Sequence, residues 1–104
     1  MYLWVDDIRT PPCDDWLWAR SVNEAITAIK SYERSFATDT IYISLDHDAG
    51  DFAGDGGDYI RVLDWLEQAG IVDTGYFFHL HTQNPVGREN MERIIRKNGW
   101  RLVR

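Results

Sequence analysis

The sequence contains a single cysteine, Cys13, and only three prolines among its 104 residues. One cysteine excludes an intramolecular disulfide framework and cannot build a cysteine-rich zinc site, which favours a reducing compartment. No apolar run approaches the roughly 20 residues of a membrane-spanning helix. The first strand-like run turns acidic at Asp6, too early for a signal peptide. We therefore expect a cytoplasmic protein that does not contact a membrane.

Basic residues are also scarce, because 11 Lys and Arg stand against 17 Asp and Glu, a formal net charge of −6. Proteins that coat a nucleic-acid duplex usually present a basic face, so extensive duplex binding is not expected. A pocket for one phosphate is compatible with this charge, since a few arginines can outweigh it locally. The hydrophobic fraction of 44% is enough for one core, and we expect residues 1–104 to form a single domain.

Hydrophobic patterning predicts five strands that alternate with helices. The predicted strands are Tyr2–Val5, Trp16–Ala19, Ile41–Leu45, Tyr76–His81 and Trp100–Val103, and the predicted helices are Val22–Arg34, Asp58–Ala69 and Gly87–Asn98. This alternation is typical of an α/β fold with a doubly wound, mostly parallel sheet. The second strand is the least secure, since parallel neighbours normally need a crossover of a dozen or more residues and Ile8–Asp15 is shorter. Trp16–Ala19 is alternatively an irregular edge segment.

Polar clusters follow three of the predicted strands. Asp6 and Asp7 follow the first strand, residues 46–48 (Asp-His-Asp) follow the third, and residues 81–84 (His-Thr-Gln-Asn) follow the fourth. In a parallel sheet, ligands bind outside the carboxyl ends of the strands. The sequence therefore predicts that these clusters converge on one site.

The carboxylates predict a metal site formed by Asp6, Asp7, Asp46 and Asp48. Two charges about 4 Å apart in a partly buried site repel by about 4 kcal/mol at an effective dielectric near 20. A divalent ion relieves this repulsion; oxygen ligands favour Mg²⁺, whereas nearby histidines keep Mn²⁺ and Zn²⁺ open. The alternative is that Asp7 and Asp48 only cap turns, with Arg9 as a salt-bridge partner.

Two histidines are candidates for acid–base chemistry. His47 and His81 both follow strands, and two imidazoles that flank one phosphorus atom can act as general base and general acid. Hydrolysis of a cyclic phosphodiester needs such a pair. For His81 a purely structural role stays open, and we expect the mid-strand His79 to be a satisfied core residue.

The start of the last predicted helix is the best anion site in the sequence. Asn84 and Pro85 form a favourable N-cap and N1 pair, and a helix N-terminus offers free N–H groups to a phosphate. Gly87 would allow a ligand to approach the backbone closely, and Arg88 would add a forked donor. The alternative is a well-capped helix with a solvated arginine.

Three motifs resemble the receiver domain of response regulators, and more closely its divergent relative, the cyclic-phosphate-processing receiver domain. They are residues 5–12 (VDDIRTPP), 44–48 (SLDHD) and 81–87 (HTQNPVG), followed by Asn90 and Met91. The resemblance implies a flavodoxin-like strand order, Mg²⁺ at Asp6 and Asp7, and a catalytic phosphoryl-acceptor position at Asp46. It also implies a phosphate-contacting hydroxyl at Thr82, and we assign Arg9 to phosphate binding with it.

The sequence departs from ordinary receivers at two places. The lysine that receivers carry after strand five has only Arg104 near it, so aspartyl-phosphate signalling is not expected. The first helix is reduced to the Ile8–Asp15 loop, and the helix after strand five is missing. One sheet face should therefore lack cover, which predicts a homodimer or a docked partner there.

These observations together predict a metal-assisted phosphoesterase-type domain. It would recognise or hydrolyse a cyclic phosphate, on a nucleotide or at an RNA end. The alternative is a non-catalytic binding or regulatory module for a phosphorylated ligand or a protein partner.

Overall fold

Five short apolar runs form the strands of one sheet in the computed structural model, which describes residues 1–35, 40–71 and 75–103. The side chains of residues 33–35 are outside this description, as is Arg104. The elements are β1 (Tyr2–Val5), β2 (Leu17–Ala19), α1 (Val22–Ser35), β3 (Ile41–Leu45), a 3₁₀ turn (Gly50–Phe52), α2 (Ile60–Gln68), β4 (Tyr76–Leu80), α3 (Pro85–Lys97) and β5 (Arg101–Val103).

The strand order is β2-β1-β3-β4-β5, and every neighbouring pair is parallel. This is the predicted flavodoxin-like order, so the predicted fold class is confirmed. The last residues of the inner strands are level, because Val5 pairs with Leu45. Leu45 in turn pairs with Leu80. The residues that come after these strands therefore leave the sheet at one edge.

The second strand forms although its connection contains no helix. Leu17 lies level with Leu3, so the chain has to return only about 7 Å along the sheet. The eleven residues between Val5 and Leu17 reach about 36 Å when extended. The strand prediction is confirmed for Leu17–Ala19, as is the reduction of the first helix to a loop.

The three helices lie side by side on one face of the sheet. α1 packs against α2, and α2 packs against α3. Alternate strand residues point into this layer, which is why Leu3, Val5, Ile43 and Phe78 are all buried. Among the described residues no helix covers the other face; Trp16 lies there instead, with its ring 5.2 Å from that of Tyr2.

Helix α1 begins as predicted, with the Ser21 hydroxyl accepting the Glu24 N–H at 3.1 Å. The start of α2 differs from its prediction. Asp58 does not cap this helix; its Oδ1 accepts the Ala49 N–H at 3.0 Å, and Tyr59 occupies the cap position without a side-chain bond. The prediction was wrong because Asp58 tightens the loop that precedes the helix. No described helix is long and apolar enough to cross a membrane.

Candidate functional site

An acidic cluster lies where the carboxyl ends of β1 and β3 meet. Asp6, Asp7 and Asp46 each offer a carboxylate oxygen, and these oxygens all lie within 4.8 Å of one another. Asp6 is buried, whereas Asp7 and Asp46 are half-buried. The level register of β1 and β3 causes this convergence, since both strands release their acidic residues at the same height.

Asp6 is the anchored member of the cluster. Its Oδ1 accepts the backbone N–H groups of Ile8 and Arg9, both at 2.9 Å, and its Oδ2 lies 2.8 Å from His81 Nε2. Burial raises the pKa of Asp6, but these backbone bonds and His81 outweigh it, so the pKa lies below its ordinary value. Asp6 is therefore held as a carboxylate.

Asp7 is the member of the cluster whose pKa is raised by burial and by the crowded negative charges. Burial, followed by the negative charges of Asp6 and Asp46, holds its pKa above the ordinary value. The Arg20 guanidinium bonds the Asp7 main chain instead of its carboxylate, since it donates to the Asp7 carbonyl at 2.8 and 3.1 Å. The Asp7 carboxylate lies against Gly50, where φ is +54° and any Cβ would collide with it. Glycine is thus needed there for both backbone and space.

The donor set fits a hard divalent cation. All three ligands of the cluster are carboxylates, the class of oxygen donor that Mg²⁺ takes in proteins. The raised pKa of Asp7 marks uncompensated negative charge, which a cation would neutralise. Asp6 Oδ2 retains a lone pair after bonding His81, since each carboxylate oxygen has two. No histidine belongs to this cluster, which favours Mg²⁺ over Zn²⁺.

Asp48 lies with a different group from the other predicted metal ligands. Its Oδ1 is 2.7 Å from His47 Nδ1, and His47, Asp48 and Asp58 form a second set of converging donor atoms. Asp48 therefore orients an imidazole rather than completing the acidic cluster. His47 itself is mostly buried, with a side-chain exposure of 16%.

The predicted anion site at the start of α3 is a connected set of hydrogen bonds. Asn84 Oδ1 accepts the Gly87 N–H at 3.0 Å, as an N-cap residue does. The Asn84 N–H bonds Thr82 Oγ1 at 3.1 Å, and Arg88 Nη2 donates to the Thr82 carbonyl at 2.8 Å. Gly87 faces the His47 ring, which occupies the place that a Cβ would take. The open side of Gly87 thus receives an imidazole.

Arg9 and His81 connect the residues before α3, which form a rim beside the acidic cluster, to that cluster. Arg9 is exposed, and its Nη1 donates to the His81 carbonyl at 3.1 Å. His81 uses both ring nitrogens, since Nε2 meets Asp6 and Nδ1 lies 2.8 Å from Ser44 Oγ. Its ring is stacked on Trp4, with centroids 4.0 Å apart. To protonate a substrate, His81 would have to leave one of these bonds.

Several residues that contact the candidate site were not identified from the sequence. Ser44 stands in the sequence only as part of a motif, yet it bonds both His81 and His79. Its signal was available: a serine interrupts an apolar strand, and β3–β4 pairing in register sets it opposite His79. Arg20 and Gly50 gave no comparable signal, because their contacts depend on how distant loops meet.

No curated protein and no solved structure matches the chain. The family model of the cyclic-phosphate processing receiver domain matches residues 1–97, a range that includes every site residue described above. The chain therefore belongs to the family of cyclic-phosphate processing receiver domains.

Proposed function

We propose that this domain binds a divalent cation, Mg²⁺ in the first instance, and hydrolyses a cyclic phosphate carried by a nucleotide or an RNA end. The observation that carries the proposal is the convergence of Asp6, Asp7 and Asp46 within 4.8 Å. A bound cation would neutralise the cluster and polarise a phosphoryl oxygen. Family membership supports the substrate class, since these receiver domains are described as cyclic-phosphate processing.

Binding of the phosphate falls to the rim that the connection from β4 to α3 forms. Arg9 and Arg88 are cations on this rim, and both are fixed by bonds to main-chain carbonyls. A guanidinium held in this way has further N–H donors for phosphate oxygens. Thr82 and Asn84 shape the same connection, and the N-terminal end of α3 adds a favourable dipole.

His47 is the best general base in this arrangement. Its Nδ1 bonds Asp48, which fixes the ring and leaves Nε2 to accept a proton from an attacking water. The sequence-based assignment of His81 as the acid stays a prediction, with the condition that it releases Asp6 or Ser44. Asp46 contributes a carboxylate to the cation site.

Two observations favour a second candidate, a non-catalytic module that binds a phosphorylated ligand or partner. Both nitrogens of His81 are engaged, and Gly87 is covered by His47. A site in which these groups stay fixed recognises a phosphate without transferring protons.

A panel of cyclic phosphates separates these functions. Cyclic nucleotides and RNA oligonucleotides with cyclic-phosphate ends are incubated with Mg²⁺, Mn²⁺ or Zn²⁺, and with EDTA. We expect turnover that EDTA and Asp46→Asn abolish, while Asp14→Asn, at an exposed carboxylate outside the cluster, leaves it unchanged. Calorimetric binding without turnover supports the binding module. Absence of both rejects the cyclic-phosphate function.

A further inference from the structure

Four side chains form one continuous hydrogen-bonded chain that leads away from the acidic cluster. Asp6 Oδ2 is 2.8 Å from His81 Nε2, His81 Nδ1 is 2.8 Å from Ser44 Oγ, and the same Oγ is 3.0 Å from His79 Nδ1. Ser44 is fully buried, and only 8% of the His81 side chain is exposed. These four hydrogen-bonded side chains lie on the sheet face opposite the helices, because Ser44 and His79 alternate with core residues of β3 and β4.

For a neutral His81 ring, the chemistry of the groups fixes the direction of every bond. An ionised carboxylate only accepts, so His81 Nε2 carries the proton that faces Asp6. A neutral imidazole then has a bare Nδ1, which accepts the Ser44 hydroxyl proton. The Ser44 oxygen, with its only proton used, accepts from His79, whose Nδ1 must therefore carry hydrogen. The order is His79 to Ser44 to His81 to Asp6.

Packing prevents the central ring from turning out of this order. Trp4 lies parallel to His81, with 4° between the ring planes. The Trp4 indole N–H donates to the Arg9 carbonyl at 2.8 Å, and the Arg9 N–H binds Asp6 Oδ1. The stack and the Asp6 loop thus stabilise one another. Burying polar groups costs free energy unless each is hydrogen-bonded, so Ser44 and His81 depend on these partners for their burial.

We propose that His81, Ser44 and His79 are positioning residues that hold the Asp6 carboxylate in the orientation required by the divalent cation. The proposal rests on the proposed function and assigns His81 to the cation site rather than to proton transfer with substrate. It also gives a role to Ser44 and His79, which the phosphate chemistry does not use. Residues that orient metal ligands typically change metal affinity or activity by about 10- to 100-fold when mutated.

The bond order is tested without metal or substrate by long-range ¹H–¹⁵N NMR of the imidazoles. In the wild type we expect His81 as the Nε2–H tautomer and His79 with hydrogen on Nδ1, the less common neutral tautomer. Ser44→Ala should return His79 to the Nε2–H tautomer. Ser21→Ala is the matched control. Ser21 is an equally buried, hydrogen-bonded serine that does not belong to the row of bonds from Asp6 to His79. Its loss should leave both tautomers unchanged.

The positioning role is tested by Mn²⁺ binding, read by electron paramagnetic resonance and calorimetry. His81→Gln keeps an amide N–H near the Nε2 position, whereas His81→Asn places its amide near Nδ1, out of reach of Asp6. We expect His81→Gln to stay near wild-type Mn²⁺ affinity and His81→Asn to lose about tenfold or more. Ser44→Ala should weaken binding, and Ser21→Ala should not.

The outcomes distinguish this inference from the function on which it rests. If His79 Nδ1 carries no hydrogen in the wild type, the proposed order of bonds from His79 to Asp6 is wrong, whatever the Mn²⁺ affinities are. Equal loss of Mn²⁺ affinity in the two His81 variants would overturn the positioning role. If both histidines have the expected tautomers but the domain binds no Mn²⁺, the cation site is rejected. The role of these residues in holding Asp6 for a cation is then rejected as well.

Discussion

The imidazole of His47 lies against Gly87, in the space that a side chain at position 87 would fill. This contact joins the end of β3 to the first turn of α3, and it gives the glycine a purpose other than ligand access. Gly87 is inside a helix and has no positive φ, so its backbone would accept alanine. Only the imidazole makes glycine necessary there.

Gly87→Ala should therefore have opposite effects in two backgrounds. In the wild type the new methyl group displaces the His47 ring, and such overpacking typically costs about 1–3 kcal/mol of unfolding free energy. In His47→Ala the space is free, and alanine should instead stabilise the helix by up to about 1 kcal/mol. Urea denaturation of the four proteins of this cycle measures both values. The same sign in both backgrounds would show that the contact does not govern position 87.

Neutralising Asp7 should stabilise the metal-free protein. Because burial and the neighbouring carboxylates hold the pKa of Asp7 above its ordinary value, the ionised Asp7 side chain destabilises the folded state relative to the unfolded chain. We expect Asp7→Asn to raise Tm by about 2–5 °C in EDTA and to remove the further rise that millimolar Mg²⁺ gives the wild type. Asp64→Asn, on α2, should keep the Mg²⁺ response. A lower Tm for Asp7→Asn in EDTA would contradict the crowding of charge.

Stability should fall when the pH drops below about 6.5. Burial lowers the pKa of His81 in the folded state, despite the opposing effect of Asp6. A group with a depressed folded pKa is protonated first in the unfolded chain, so the unfolded state gains protons as pH falls from 6.5 toward the folded pKa. His81 thus contributes stability above pH 6.5, and this contribution is lost in that window with a slope of at most about 1.4 kcal/mol per pH unit.

The matched comparison is His81→Gln, which cannot titrate there. The difference in unfolding free energy between wild type and variant should be largest near neutral pH and shrink as the pH falls below about 6.5. Asp6 adds its own loss at lower pH, because its folded pKa is also depressed. A difference that stays constant across the window would mean that His81 is not buried as a neutral group.

The alternation of strands and helices and the convergence of Asp6, Asp7 and Asp46 could be predicted from the sequence, whereas the strand order was implied by the family resemblance. Apolar runs mark the strands, and parallel strands deliver the residues at their carboxyl ends to one edge of the sheet. The same reasoning failed for Asp58, where a capping residue type was present but its side chain bonded Ala49. Local propensity could not decide between two nearby N–H groups.

The partners of the histidines depended on register and packing, which no local pattern contains. His79 was expected in the core, yet its neighbour in the sheet is Ser44, on the other face. A shift of register by one residue would have placed both on the opposite side. The role of Gly87 was inferred from its lack of a side chain, but the ring that uses this space comes from 40 residues earlier, at His47.

The sheet face opposite the helices carries a group of aromatic side chains. Tyr2 is 51% exposed there, and Trp16 lies over Trp4 and Tyr42, with ring centroids 5.8 Å from each. Arg101 stands above the ring of Phe77. Within the described residues, one tryptophan of the loop is the main cover of a face that parallel sheets normally bury under helices. The predicted homodimer or docked partner at this face stays a prediction.

Light scattering at micromolar concentration tests whether the protein forms a homodimer through this sheet face. A homodimer should have twice the 12.1 kDa of the chain, and Phe77→Lys should return it to monomer, because an ammonium group in a buried apolar interface loses its hydration without gaining a partner. Ile8→Lys is the control, since Ile8 is 77% exposed in the loop after β1. A monomer that binds a hydrophobic dye, and loses this binding with Phe77→Lys, indicates a partner protein. A monomer that binds no dye would mean that Trp16 and the loop close the face by themselves.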